Sequence, residues 1–372
     1  LINKMKRITG LDTIRGACMW IMIYGHMIDW WLRPEDDWLR QWLFAFLESI
    51  GATGFLFISG VSAALAFRSN RMKLQNLNLY NPSMVRNVYF IRAFLILLIG
   101  VLYNFFVAVL WSGNIANLWS WLVLQTIGFS LILSWPFLGV SRTFRIIFGI
   151  LIMLLNQFFL TLLWPYEDQA NLFGFTFYLL FNPLSQYPIL AYFSIFLIGT
   201  ALGDKIFEIN IEKNRQERKL LFKNKLIIPM FLIGCLLLIY GIAHLFPEFF
   251  RFNTIQAFAY SLGIILIVLS LFITKQTFQL FKTKKSYRYL FFYSYYSFTI
   301  YLGHNILFFL FPERLNFITI WIAVIIGNFI FGYLFRTMYI KLGAKASLKT
   351  GISVASFAIV KKFGKLDEKL KV

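Results

Sequence analysis

Arg15, His26, Asp29, Glu48, Arg92 and His304 each lie within a long apolar run of the sequence. An ionisable side chain is costly in hydrocarbon, so such residues usually face a partner or a watery cavity and mark functional sites. Arg145 and Lys205 fall at the ends of runs, where long side chains can snorkel to the interface. An imidazole titrates near neutrality and can move a proton, and a neighbouring carboxylate orients it and raises its basicity. His26 is therefore a candidate general base, with Asp29 or Glu48 as its carboxylate, the plainer alternative being polar cross-links between helices. Guanidinium groups grip phosphate well, so Arg15 and Arg92 are candidate phosphate ligands or simple anchors at a cytoplasmic face.

Helical geometry relates these residues. Positions 15 and 26 return to within ~20° of one helix face and stand ~16 Å apart along its axis. Met22 and Asp29 lie within about 40° of that stripe. His26, Glu48 and His304 come from separate runs, yet each falls ~10 Å inside the outer end of its run. Imidazoles and a carboxylate converging on one depth imply a buried polar site. Gln125 and Asn104 are amides inside apolar runs, readable as interhelical hydrogen bonds or as ligand contacts.

The elements that must hold this site are set by composition. Of 372 residues 59% are hydrophobic, and mean hydropathy is +0.69, which leaves too little polar surface for a water-soluble globule. The expected fold class is all-α, a polytopic bundle of about ten transmembrane helices. Apolar runs long enough to cross a ~30 Å layer occur near 13–32, 41–67, 88–111, 115–139, 143–164, 187–205, 226–246, 255–274, 290–311 and 316–336. The formal net charge is +20, but the basic residues fall in short segments between runs, which excludes nucleic acid as a partner and points to membrane orientation. With a cytoplasmic N-terminus, every Lys and Arg except Arg33, Arg40, Arg251 and Arg314 falls on the inner side, and both termini are cytoplasmic. The first run is long, carries Arg15 and ends without a small-residue cleavage site, so it reads as a retained helix.

Residues 1–343 read as one transmembrane domain, with a charged cytoplasmic connection at 204–225 and a basic tail at 344–372. The tail holds a short apolar patch, SVASFAIV, too short to span and suited to a helix lying on anionic lipid. Residues 171–186 are apolar but broken by Gly174 and Pro183, as a re-entrant piece or a loop against the bundle would be. Gly51, Gly54 and Gly60, with Ser59, read as a close-packing surface. Cys18 and Cys235 have no CxxC or Cys/His spacing, so neither a disulfide framework nor a metal is expected.

The segment RITGLDTIRGACMWIMIYGH resembles the opening of membrane-bound acyltransferases, in which an Arg, ten residues and a His begin the first helix. GFLFISGVSAAL is similar to that superfamily's second helix. LQTIGFSLIL, PILAYFSIFLIGTALG and YSFTIYLGHNILFF resemble, in order, segments of the heparan-alpha-glucosaminide N-acetyltransferase catalytic-domain family. The resemblance implies transfer of an acyl group, commonly acetyl, from cytoplasmic acyl-CoA to a carbohydrate-like hydroxyl or amine acceptor beyond the membrane. It makes His26 the catalytic histidine and Arg15 its paired arginine, and matches His304 to the histidine of the late helix and Arg92 to the arginine entering the third. With these, Gln125 is a candidate for the acetyl-CoA side beside Arg15 and Arg92, and Tyr301 and Asn305 are candidates for the acceptor side beside His304. In the human-type lysosomal enzyme the position of His26 is asparagine and the catalytic histidine follows in the next loop. Here that loop, RPEDDWLR, holds none, so the pattern is nearer to bacterial relatives and the acyltransferase-three group. A prokaryotic plasma membrane is the implied location; membrane lipid is a partner and a homodimer stays open. The competing class is a transporter or flippase, which also keeps polar groups at mid-membrane; the absence of a visible inverted repeat counts against it.

Overall fold

The computed structural model describes residues 7–77, 82–109, 113–182, 187–244, 254–280 and 289–370. The chain runs through helices α1 (Thr9–Trp31), α2 (Asp37–Leu77), α3 (Pro82–Asn104), α4 (Val123–Ser134), α5 (Arg142–Leu163), α6 (Leu172–Phe181) and α7 (Ile189–Asn210). It continues through α8 (Arg215–Phe222), α9 (Ile228–Ala243), α10 (Ile255–Phe278), α11 (Tyr289–Tyr295), α12 (Ser297–Gly303), α13 (Thr319–Lys341) and α14 (Leu348–Leu370). No strand occurs among the described residues, as expected where each backbone group must find its partner within its own segment.

Among the described residues, 7 helices are long and apolar enough to cross a membrane: Ile50–Lys73, Pro82–Val107, Arg142–Tyr166, Ile189–Asn210, Arg215–Ala243, Ile255–Phe278 and Thr319–Lys341. The expectation of about ten is thus met only in part, and each shortfall has a cause. Arg15, His26 and Asp29 dilute the apolar character of α1. The run at 115–139 becomes α-helical only at Val123 and ends as 3-10 helix at Gly139. The run at 290–311 is broken into α11, α12 and a 3-10 turn over His304–Phe309.

α1, α2, α7 and α10 make the centre. α2 lies along both α1 and α7, and its Leu56, Ile58, Val61 and Ala64 are fully sealed from the surface. The α2–α7 approach depends on small residues: a Cβ on Gly60 would strike the Phe196 carbonyl, and one on Gly199 would strike that of Phe57. The outer end of α1 is tied to the segment after His304 by Arg33 N–H to Leu315 O at 2.9 Å and Leu315 N–H to Trp31 O at 2.8 Å. That clasp fixes His26 and His304 in one register.

Polar residues also staple the helices together around Asp204. Arg145 does not snorkel: it is fully buried, ion-paired to Asp204 and bonded to Thr200 at 3.0 Å. Arg68 reaches the same carboxylate at 2.6 Å, while Lys205 pairs with Glu208 at 2.9 Å. Residues 171–182 form α6 and its cap, held by Asn171 accepting from Gly174 N–H; the remainder of that segment, 183–186, lies outside the described residues. The tail is not free of the bundle. α14 packs on α3 and α12, burying Ile352, Ser356 and Val360 while Val354 and Phe363 face outward.

Candidate functional site

α1 carries the site because its N-terminal turns, the inner end in the expected orientation, present Arg15, and its C-terminal turns, the outer end, present His26. His26 and His304 stack with ring centroids 4.9 Å apart, and Trp30 stacks on His26 at 4.8 Å and on His304 at 5.8 Å. The break between α12 and the following 3-10 turn turns His304 inward: its Nδ1 lies 2.6 Å from the Tyr301 carbonyl, which can only accept. In the neutral ring Nδ1 therefore holds the hydrogen, and Nε2 keeps its lone pair. His26 is less satisfied, since its Nδ1 is buried with no hydrogen-bond partner among the described residues. A buried ring nitrogen without a partner costs free energy unless a substrate or water completes it.

Of the two carboxylates expected at His26, Asp29 is engaged elsewhere. Asp29 accepts from Arg40 at 3.2 Å, and Arg40 also pairs with Asp37 at 2.5 Å. Asp29 thus joins α1 to the start of α2, because Arg40 follows close behind the turn between them. The Glu48 side chain lies outside the described residues.

Gln125 also stands apart from both cavities described below. It accepts from Asn104 Nδ2 at 2.5 Å, and the same amide donates to the Ser120 carbonyl at 2.7 Å. This clasp ties α3 to the start of α4 through an interhelical hydrogen bond, and Gln125 is among the lining residues of neither cavity. Asn305 donates to the Tyr103 hydroxyl at 2.7 Å, and the Tyr103 and Tyr301 rings lie 5.2 Å apart, which braces the outer wall.

Two cavities flank the α1–α2 seam. The outer one, about 160 Å³, includes His26, Met22, Gly25, Tyr187 and Tyr301 in a mainly apolar wall. The inner one, about 140 Å³, is lined by Arg15, Arg92, Lys349, Ser62, Tyr89 and Ser297 among others. Phe55 belongs to both walls. The two together follow the line from Arg15 to His26, which is ~16 Å long by helix rise.

Arg15 is buried, donates to Ser62 Oγ and has Asp12 3.8 Å away, although Asp12 is held more closely by Arg7 at 2.7 Å. Neither Arg92 nor Lys349 has a carboxylate within salt-bridge distance among the described residues. Arg15 beside it, its own burial and Arg92 hold the Lys349 ammonium well below the usual lysine range. Cations gathered around a cavity with one shared carboxylate make an anion site. Lys349 was not identifiable from sequence because it lies in a basic tail some 330 positions from Arg15, where every lysine reads alike. Phe55, Tyr103 and Trp30 were hidden for a similar reason, being aromatics within a chain that is 20% aromatic.

A family model described as heparan-alpha-glucosaminide N-acetyltransferase, catalytic, matches residues 7–246. The match takes in Arg15, His26, Arg92 and Gln125; Tyr301, His304, Asn305 and Lys349 lie beyond it. No curated protein and no solved structure matches the chain.

Proposed function

The chain belongs to the heparan-alpha-glucosaminide N-acetyltransferase catalytic family, and from that premise we propose that it moves an acetyl group from acetyl-CoA, through the bundle, to an acceptor at the outer cavity. The family is one of transmembrane acetyltransferases. What carries the reading for this chain is the juxtaposition of a cation-lined cavity and a histidine-bearing cavity that share the wall residue Phe55. Donor phosphates suit the Arg15, Arg92 and Lys349 end, because guanidinium and ammonium groups meet phosphate with charge-assisted hydrogen bonds. The ~16 Å from Arg15 to His26 corresponds to an extended pantetheine arm, which brings the thioester to the imidazoles.

At that point an acceptor hydroxyl or amine attacks the thioester carbonyl. The new C–O or C–N bond forms as the C–S bond breaks, His26 takes the acceptor's proton, and that proton passes to the departing thiolate to give free CoA. In the second route a His26 nitrogen attacks the thioester carbonyl, the C–S bond breaks and CoA leaves as thiolate. The acceptor then attacks the acetyl-imidazole, its new C–O or C–N bond forming as the acyl–imidazole C–N bond breaks, and its proton goes to the thiolate to give free CoA. His304, with its hydrogen committed to Tyr301, offers Nε2 as a neighbouring acceptor, and Trp30 stacks on both imidazole rings. Tyr301 lines the acceptor side, with Asn305 bracing it through Tyr103. With Asp29 engaged by Arg40, it acts as a helix tie, and His26 works without it. A cytoplasmic donor end, cytoplasmic termini and a carbohydrate-like acceptor complete the reading, supported by the positive-inside distribution of Lys and Arg.

The test uses purified full-length protein with acetyl-CoA and follows thioester loss, CoA binding and the acetylated product. Wild type should bind CoA and consume the thioester, while His26→Ala should lose about 10²–10⁴-fold in kcat and still bind CoA. Absence of CoA binding in the wild type would sink the enzyme reading. Unchanged turnover in His26→Ala would remove His26 from the chemistry.

A further inference from the structure

We infer that a third cavity, beside the N-terminal end of α1, holds the phosphate headgroup of an anionic phospholipid whose chains lie along the outside of α8 and α10. This site is separate from the two cavities of the acetyl-transfer reading and requires nothing of that reading.

The cavity, about 350 Å³, lies where α1 begins and α7 and α10 end, with α8 on its rim. Arg215, Arg218 and Lys219 line it from α8. Their spacing of three and four residues puts them on one helix face. Ile8, Phe222 and Ile273 add buried apolar side chains to the wall. Among the described residues no Asp or Glu lines the cavity, and none of its three cations is paired with a carboxylate. Basic residues that merely orient a helix in the membrane need no common focus. These three share one cavity.

The wall is built before anything binds. Gln276, which lines it from α10, donates through Nε2 to Arg7 O at 2.9 Å and accepts at Oε1 from Thr9 Oγ1 at 3.1 Å and Gly10 N–H at 3.3 Å. That clasp ties the end of α10 to the start of α1. On the opposite side, Asn214 caps α8 by accepting from Gln216 N–H at 2.9 Å, and Arg218 Nη1 donates to Glu212 O at 2.9 Å. Cations held in place this way can meet phosphate oxygens with charge-assisted hydrogen bonds at little ordering cost. Gln279 brings a further amide donor to the same volume.

Two observations favour a lipid over a soluble anion. Leu220, next to Lys219, and Phe278 and Leu280, on either side of Gln279, are exposed apolar side chains. They lie where the chains of a lipid would run from a headgroup held by their neighbours. The cavity also belongs to the end of the bundle at which the basic connection 204–225 lies, and basic pockets among transmembrane helices there suit acidic headgroups.

Lipid retention by the full-length protein in detergent, read by native mass spectrometry across titrations of phosphatidylglycerol and of phosphatidylcholine, tests the site. Wild type should keep phosphatidylglycerol at concentrations where phosphatidylcholine is lost. Arg215→Gln combined with Lys219→Gln should weaken that retention roughly tenfold. Lys213→Gln combined with Lys223→Gln removes the same charge from exposed positions outside the cavity and should leave retention near wild type. None of the four side chains is buried, so both double variants should keep the wild-type fold. Equal retention of the two lipids by wild type, or equal loss in the two double variants, overturns the site. Displacement of phosphatidylglycerol by an equal concentration of glycerol 3-phosphate makes the occupant a soluble phosphate ester and overturns the lipid. Displacement by acetyl-CoA assigns the cavity to the donor and overturns its independence.

Discussion

The two imidazoles differ in what already satisfies them. His304 spends its Nδ1 hydrogen on the Tyr301 carbonyl, while the buried Nδ1 of His26 has no partner among the described residues. His26 is therefore the ring with capacity left for a substrate proton, and His304 the ring held in position. Residues at the other cavity should affect binding rather than chemistry. His304→Ala is expected to lower kcat about 10²-fold with KM for acetyl-CoA kept. Arg92→Gln should raise that KM about tenfold, by roughly 1.4 kcal/mol of lost binding, with kcat kept. Steady-state kinetics separates these, and both variants moving the same parameter would break the division of labour. The meeting of His26 and His304 was legible from depth along separate runs. The engagement of Asp29 was not, because its one-turn spacing from His26 says nothing of Arg40, which arrives from the next helix and binds that carboxylate.

At the scale of elements, helix contacts depend on small residues and on one buried ionic knot. The glycines of α2 were readable as packing positions, since in lipid close approach requires small side chains; Gly60 against Phe196 is that contact. The knot at Asp204 was not readable, since Arg145 looked like a snorkelling end residue until α5 was seen packed along α7. Asp204 answers both Arg145 and Arg68, so Asp204→Asn leaves a fully buried guanidinium without its counter-charge. Breaking a buried pair from one side costs about 3 kcal/mol or more. Thermal unfolding of the solubilised protein should show a clear loss of stability in Asp204→Asn, whereas Glu208→Gln, at the exposed pair with Arg142 and Lys205, should change it little. Equal stability of the two variants would mean that the knot is not holding α5 to α7. Broken elements were the hardest to foresee: hydropathy sees 290–311 as one run, and only the hydrogen bonds of α12 and the turn after it reveal the break that aims His304 inward.

For the whole molecule, the proposed transfer requires one bundle to pass an acyl group along its length without opening a path for water. α1, α2, α4 and α12 contribute to both cavities, α3 and α14 to the one at Arg15 and α13 to the one at His26. The part of α1 in this lining was legible from Arg15 and His26, but the tail's place in it was not, because its apolar patch suits lipid and protein equally. Phe55 lines both cavities, so on the proposed function its ring would seal the thioester end of the donor from water whenever the outer cavity is empty. Phe55→Ala should leave Arg15 and His26 in place yet join the cavities. Acetyl-CoA would then be hydrolysed in the absence of acceptor, at a rate that approaches its turnover with acceptor, while CoA affinity stays near that of wild type. Phe55→Leu, which keeps apolar bulk at the joint, should restore most of the coupling. The measurement is thioester loss with and without acceptor for the three proteins. If Phe55→Ala shows no more acceptor-independent hydrolysis than wild type, water is excluded by some element other than this ring, and the two cavities are not successive parts of one acyl path.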